Sequence, residues 1–309
     1  MKNLRHTVIV VLIAITLSPL SGALFNTVLG PCDLHFVSND PATIEEIQGV
    51  IVAESHRLVG EYGAVNPHPW SVHVVSSREQ LRNLTRGYAP EWSVGVAQRK
   101  LNQIVMLAPN AAKVNFNRFL EILVHELNHI YMHRIAGMDA VPAWFTEGLA
   151  MVASGELSLI QKIEISRALW GGKLFTLDQL HNMQVHYSWD VDQAYAQSAA
   201  AVYGLQYFYG DGILRAILDI LRYSDDFEAA FQELTGNDLL DFQEKYSLYL
   251  NSNYRWIFLL RASRYIFVVL PVILVAGFII KRRRGRRKLE LWDLEEKLAS
   301  SDYDPPEVN

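Results

Sequence analysis

The chain has 309 residues, half of them hydrophobic and one fifth charged, with a formal net charge of −5. A chain of this length can bury one large core or two modest ones. Its slightly acidic balance gives no reason to expect a nucleic-acid partner. The single cysteine, Cys32, excludes an internal disulfide framework.

The amino terminus has the layout of a secretory signal peptide. Basic residues precede a short apolar run, and the small residues Ser21, Gly22 and Ala23 follow Pro19. This arrangement predicts a signal peptide over residues 1–23 that is cleaved after Ala23. An uncleaved membrane anchor is the alternative, because the apolar run is nearly long enough to span a bilayer. Either interpretation predicts that the residues that follow are exported.

Near the other end, the residues 265–280 carry no charge and are followed at once by seven basic residues within 281–288. A buried core helix is one interpretation, but a basic block at the end of an apolar run favours a membrane span with that end in the cytoplasm. We therefore predict a juxtamembrane and transmembrane helix over 253–280 and a cytoplasmic tail over 281–309. The predicted location is the cell membrane, as a single-pass protein whose residues from about 24 to 255 face the periplasm or the cell surface.

Hydrophobic periodicity divides the exported part into a strand-rich N-terminal lobe, 24–114, and a helical C-terminal lobe, 115–252, without an internal repeat. The predicted strands are 33–38, 70–77, 92–98 and 102–108, with the last two as an antiparallel pair. The predicted helices cover 41–63, 78–87, 116–137, 142–155, 157–170, 190–210 and 227–251.

The stretch 121–134 places His125, Glu126 and His129 in the spacing H-E-x-x-H on a predicted helix. Residues four apart lie on one helix face, so both imidazoles can reach a single ion, and Glu126 projects about 100° away from His125. Zinc hydrolases use two neutral imidazoles to hold the ion and a nearby carboxylate to take a proton from the activated water. A surface helix with incidental histidines is the alternative. The apolar neighbours favour a buried helix, in which these polar groups would be costly without a ligand.

Zinc requires a third protein ligand. The extended pattern H-E-x-x-H-x-x-G-x-x-H is absent, because Met132 and Ile135 occupy its Gly and final His positions. The other common solution is a glutamate on the next helix. Glu147 lies 18 positions after His129 on such a helix and is followed by Gly148. The glycine and proline between the two helices permit an antiparallel hairpin that would bring this carboxylate to the histidine pair.

The chain resembles the gluzincin zinc metallopeptidases, and among them the aminopeptidase-like and peptidase MA-like groups, in two motifs, VHELNH and WFTEGLA. The resemblance covers roughly residues 34–250. It implies a thermolysin-like zincin fold, Zn²⁺ as the cofactor and a peptide or protein substrate, with envelope and membrane proteins as candidates. Carried over by position, it implies His125, His129 and Glu147 as zinc ligands, and Glu126 as the general base and later the general acid.

Gluzincins usually add a tyrosine or histidine that donates a hydrogen bond to the developing oxyanion. The resemblance makes Tyr195 the best candidate for this catalytic role, with Tyr187 and Tyr203 as competitors. Packing of Tyr195 between helices is the alternative interpretation.

The G-x-M-E-N signature, with which aminopeptidases of this group hold a free substrate amine, is absent. This departure argues against aminopeptidase action. An extended peptide could instead pair as an added strand with the edge of 92–98 or of 102–108.

Two further residues of the motif helix allow more than one interpretation. His133 lies one turn after His129, but three ligands at successive turns of a straight helix converge poorly on one ion, so we prefer Glu147 as the third ligand. Glu121 lies one turn before His125 and either orients that imidazole or faces solvent.

These features predict a membrane-anchored, extracytoplasmic zinc metallopeptidase that hydrolyses peptide bonds through a zinc-activated water. The predicted fold class is α+β, a thermolysin-like zincin domain plus one C-terminal transmembrane helix. One alternative is a catalytically silent relative that binds peptides or assists assembly at the membrane. Another is a zinc hydrolase of a non-peptide amide, which these residues do not distinguish from a peptidase because the metal chemistry is the same.

Overall fold

A five-stranded sheet and the helices packed around it form the first of two units, which ends at Arg255, and the second unit begins at Trp256. The computed structural model describes residues 21–37, 40–136, 141–181 and 191–301. Most of the described residues are helical.

The strands are β1 (Ser21–Thr27), β2 (Gly30–Phe36), β3 (Trp70–Val75), β4 (Gly95–Gln98) and β5 (Gln103–Leu107), with a 3-10 turn, Arg99–Leu101, between the last two. The helices of the first unit are α1 (Pro41–Tyr62), α2 (Arg78–Leu84), α3 (Pro109–Ala112), α4 (Phe116–Ile135), α5 (Ala143–Ser154), α6 (Leu159–Gly171), α7 (Leu177–His181), α8 (Val191–Tyr209), α9 (Ile213–Leu221), α10 (Phe227–Thr235) and α11 (Leu239–Tyr254). The second unit contains α12 (Phe258–Ser301).

The sheet has the strand order β1-β2-β3-β5-β4. Strands β2, β3 and β5 run parallel, while β1 and β4 pair antiparallel at the two sides. Leu34 of β2 and Val72 of β3 are fully buried, and β5 is buried on both faces from Ile104 to Leu107. Because β5 lies between β3 and β4, β4 is the strand with a free edge beside α4, and β5 is not.

Helix α4 is fixed at both ends. At its start, the Asn115 side chain accepts a hydrogen bond from the Arg118 N–H at 2.8 Å, which satisfies one of the amides that a helix leaves unpaired. Near its end, Tyr131 donates to the Gly63 carbonyl and Arg134 donates to the Leu29 carbonyl. The histidine-bearing helix is thus held against the residue that follows α1 and against the turn between β1 and β2.

Helix α5 packs between α4 and α8. The fully buried Trp144 ring lies edge-on to Phe145 and Phe227, with centroid separations of 5.7 and 5.8 Å. Four residues further on, a Cβ on Gly148 would lie 2.4 Å from the Ser198 carbonyl oxygen of α8. The missing side chain therefore allows the two helix backbones to approach this closely.

The predicted strands near 33, 70, 92 and 102 and the predicted helices in 41–170 are present, and the strand pair β4–β5 is antiparallel. The predicted helix at 227–251 divides into α10 and α11, because Gly236 adopts φ 67° and ends α10. The sequence prediction omitted β1, α3, α7 and α9. Of these, α9 has only nine residues, too few for its buried apolar face to give a clear period.

The predicted transmembrane helix at 265–280 is wrong. Among the helices of the described ranges, none combines the length and the apolar character needed to cross a bilayer. The uncharged run is shorter than the roughly 20 residues that a span requires, and Arg264 and Lys281 bound it. The predicted fold class is therefore contradicted in its transmembrane element. The predicted single-pass location and the predicted membrane partner through this helix are corrected with it.

The predicted cleavage site of the signal peptide lies in a strand. Ser21, Gly22 and Ala23 are the first residues of β1, and Ala23 pairs with Leu34 of β2. Cleavage after Ala23 would remove these three paired residues. The rest of the predicted signal peptide, residues 1–20, lies outside the described part of the chain.

Candidate metal centre

Three side-chain atoms from α4 and α5 converge in the interior of the first unit. The Nε2 atoms of His125 and His129 lie 3.2 Å apart, and each lies 3.4 Å from Oε2 of Glu147. In the ranges that the structure describes, this is the one group of three His, Cys, Asp or Glu side chains arranged to hold a metal ion. The packing of α5 against α4 thus brings together the three residues that the sequence predicted as ligands.

The dimensions of this triangle fit Zn²⁺. A tetrahedral zinc site with bonds of about 2.0–2.1 Å separates its ligand atoms by about 3.3–3.4 Å, close to the separations observed. Oε2 of Glu147 is also buried and faces the two imidazole nitrogens at 3.4 Å. A carboxylate oxygen in that position needs a cation, so the residues fit the predicted ion in both geometry and charge.

The electrostatics of the cluster favour positive charge at its centre. Burial alone would lower the pKa of His125, but hydrogen bonds to Glu147 and Glu156 raise it to about 10. Burial would raise the pKa of Glu147, but the charge of His129 and the hydrogen bonds from both histidines hold it well below its usual range. A proton or a metal cation can supply the charge that these carboxylates stabilise.

Glu156 orients the first histidine. Its Oε2 lies 2.7 Å from Nδ1 of His125, and its carboxylate also accepts from Ser154 Oγ at 2.9 Å and from Arg118 at 2.6 Å. Burial opposes ionisation of Glu156, yet the interactions with His125 and Arg118 lower its pKa to about 2. A carboxylate on the far nitrogen of an imidazole fixes the ring and leaves Nε2 available as a ligand.

Sequence reasoning did not identify Glu156. It considered Glu121, which instead contacts Arg118 at 2.9 Å on the exposed side of α4. Glu156 follows Gly155, whose φ of 71° ends α5 and turns the chain back toward α4. A glutamate directly after the glycine that ends the ligand-bearing helix was the available signal.

Glu126 lies beside the triangle and contacts the edge strand. Its Oε2 accepts a hydrogen bond from the Ala97 N–H at 2.7 Å. A Cβ on Gly95 would lie 3.2 Å from Cγ of Glu126, so this glycine allows the close approach of β4. Burial raises the pKa of Glu126, although the charges of His125 and His129 partly offset this rise. The carboxylate is fixed next to the ligands without being one of them.

Tyr195 of α8 also faces this cluster. Its ring centroid lies 6.4 Å from that of His125, and the two rings are nearly perpendicular. The negative charge of Glu147, followed by burial, raises the pKa of Tyr195. Tyr203 lies further along α8, near Tyr249 and Tyr254. Tyr187 lies outside the described residues.

His133 is not part of the converging group. Burial lowers the pKa of His133, and the nearby positive charges of Arg99, Arg134 and Lys100 lower it further. This position agrees with the preference for Glu147 as third ligand.

Comparison with known proteins gives a family match over most of the first unit. The model of the Peptidase MA superfamily matches residues 52–252. Together with the His-His-Glu cluster, the match confirms the predicted resemblance, the predicted class of zinc-dependent peptidase and the predicted Zn²⁺ cofactor. No curated protein matches the chain.

Similar solved structures include an M1 zinc metallopeptidase from Deinococcus radiodurans. Its single-residue variant is 13% identical, with a TM-score of 0.42, covering 75% of this chain and 52% of that chain. The same variant bound to a Tyr-Ser-Ala substrate is 12% identical at the same TM-score and coverage. The unsubstituted enzyme is 13% identical with a TM-score of 0.41. The chain spans about half the length of these structures.

Substitution of Glu156 by Gln should lower zinc affinity about 10- to 100-fold, because the amide no longer stabilises the orientation and basicity of His125. Zinc competition with a chromogenic chelator measures the effect. Glu121→Gln is the matched control on the same network, and it should bind zinc like the wild type. Equal affinities of the two variants would mean that Glu156 does not orient the ligand.

Proposed function

The chain belongs to the Peptidase MA superfamily, and from this premise we propose that it hydrolyses peptide bonds with His125, His129 and Glu147 as the zinc ligands and Glu126 as the general base. The observation that carries the proposal is the triangle of ligand atoms, 3.2–3.4 Å apart, with a fourth side chain beside it, the non-ligating carboxylate of Glu126. When bound, the ion makes a water more acidic and a peptide carbonyl more electrophilic.

Glu126 has the properties of a general base in this arrangement. Burial raises its pKa, which makes the carboxylate a stronger base than an exposed glutamate. The Ala97 N–H holds one carboxylate oxygen, so the side chain cannot swing away from the ligands. Glu126 accepts the proton of the attacking water and later delivers it to the leaving amine.

Tyr195 supplies the hydrogen-bond donor for the oxyanion. The phenol is protonated at neutral pH, as a donor must be, and its raised pKa extends this state to more alkaline pH. Its ring lies next to His125, on the side of the cluster formed by α8. A donor fixed in advance at the position of developing charge stabilises the transition state more than the ground state.

Strand β4 provides the surface on which the substrate lies. It is the sheet edge next to Glu126, and an extended peptide can add to such an edge as a further strand. The last residue of the strand is Gln98, and the G-x-M-E-N signature, which holds a free substrate amine in aminopeptidases, is absent from the sequence. The proposed activity is therefore that of an endopeptidase on extended segments.

The Glu126→Gln variant should retain zinc and lose at least about 100-fold in peptide hydrolysis, since it keeps the ligands and removes the base. Metal analysis and digestion of a diverse peptide library, both with the full chain, test this expectation. If both proteins bind zinc and neither cleaves any peptide, the silent binding protein and the non-peptide amide hydrolase replace this proposal. If neither binds zinc, the assigned ligands are wrong.

Tyr195→Phe should lower kcat about 100-fold while leaving zinc content and KM close to those of the wild type, because it removes one oxyanion donor and keeps the ring. Tyr203→Phe, on the same helix, is the control and should retain full kcat. A Tyr195→Phe variant with unchanged kcat would reduce this residue to a packing role.

Ala97→Pro should abolish peptide cleavage and spare zinc, because it removes the edge N–H that contacts Glu126 without removing a metal ligand. Ala97→Gly keeps this N–H and should remain active. Steady-state hydrolysis and metal content of both variants are compared. Full activity of the proline variant would show that hydrolysis does not depend on the Ala97 N–H.

A further inference from the structure

The edge strand β4 extends beyond the reacting groups toward a basic turn. Gly95 of β4 lies against Ile122 and Glu126 of α4, and the Ala97 N–H contacts Glu126. The 3-10 turn that follows β4 packs on α4. Its cations, Arg99 and Lys100, act on His133, one helical turn after the ligand His129. The turn therefore lies at the end of the proposed cleft beyond the metal ligands.

The positive charge of this turn is not neutralised by the carboxylates that the structure describes. Neither Arg99 nor Lys100 forms an ion pair with a described residue. The neighbouring Arg134 adds a third cation, and its guanidinium contacts the carbonyls of Leu29 and His68. Lys100 is exposed and Arg99 is partly exposed, so an anionic group of a ligand can reach them.

We propose that Arg99 and Lys100 form a carboxylate-binding subsite of the peptide cleft. This inference rests on the proposed peptidase function. A peptide paired with β4 advances about 3.3 Å per residue. Ala97 is next to the general base, so Arg99 lies about 7 Å further along, which is two to three residues from the bond that is cut. Carboxylates are the anionic groups of a peptide, and they pair with guanidinium and ammonium groups.

The direction of the bound peptide decides which carboxylate reaches the turn. If the peptide runs antiparallel to β4, its amino-terminal side lies at the turn, which selects acidic side chains before the cut and repels a free amine. If it runs parallel, its carboxyl-terminal side lies there, and the turn selects acidic side chains after the cut or the terminal carboxylate. Both directions use the same charge chemistry at the same residues.

The test uses the full zinc-loaded chain and peptides built on one cleaved sequence. Four of the peptides form two matched pairs. In the first pair, the second and third positions before the cut are both Glu in one peptide and both Gln in the other. In the second pair, the same change is made at the second and third positions after the cut. Two more end in a free carboxylate or in an amide. Kinetics are measured for the wild type, for the double variant R99Q/K100Q and for K162Q/R167Q, which removes one lysine and one arginine from α6.

The wild type should cleave one Glu peptide, or the free-acid peptide, about five- to tenfold better in kcat/KM than its neutral match, since each exposed charge pair contributes about two- to fivefold. The advantage should appear mainly in KM and shrink when salt rises from about 0.05 M to about 0.5 M. R99Q/K100Q should lose the advantage, so that its kcat/KM for the charged peptide equals that for the neutral match. The α6 variant should keep the advantage.

Each other outcome has a defined meaning. A wild type that cleaves charged and neutral peptides equally, or an R99Q/K100Q variant that keeps the preference, overturns the subsite and leaves the peptidase proposal intact. A zinc-loaded wild type that cleaves none of a diverse peptide library overturns the peptidase proposal, and the subsite with it. A preference for acidic side chains before the cut, for those after it, or for the free terminal acid supports the subsite and identifies which carboxylate it binds.

Discussion

Negative charge buried around two imidazoles is the constraint on which the first unit depends. Glu126, Glu147 and Glu156 all lie within the cluster around His125, and the described residues provide one arginine, Arg118, against them. A protein core does not retain uncompensated carboxylates, because removing them from water costs several kcal/mol each. The arrangement is stable when a cation occupies its centre, so metal binding and the integrity of this part of the core are coupled.

The helix packing supplies the precision that such a centre needs. Trp144 anchors the first turn of α5 in an aromatic core, and Gly148 brings the next turn against the backbone of α8. Glu147 lies between these two contacts. The same approach of α5 and α8 brings Tyr195 next to His125. The ligand and the proposed oxyanion donor are therefore positioned by one helix interface, which explains why a glycine follows the ligand glutamate.

Strand β4 links the sheet to the chemistry. Its Ala97 N–H contacts Glu126, the proposed general base, and its edge is the proposed surface for an extended peptide. In the proposed function, orientation of the base and selection of the substrate both depend on this one short strand and the basic turn after it. The register of the strand is set by its pairing with β5.

The sequence by itself determined the features that are encoded within a few turns of chain. The spacing of His125 and His129, the helix that carries them, the helix that carries Glu147 and the antiparallel pair β4–β5 follow from periods of 3.6 and 2 residues. Composition was less reliable at the carboxyl end, where an apolar run beside basic residues predicted a membrane span that is wrong. Only the tertiary structure decided the contacts between distant segments. Glu156 reaches His125 across 31 positions and Ala97 reaches Glu126 across 29, and no local period records such pairings because the fold, not the neighbouring sequence, brings them together.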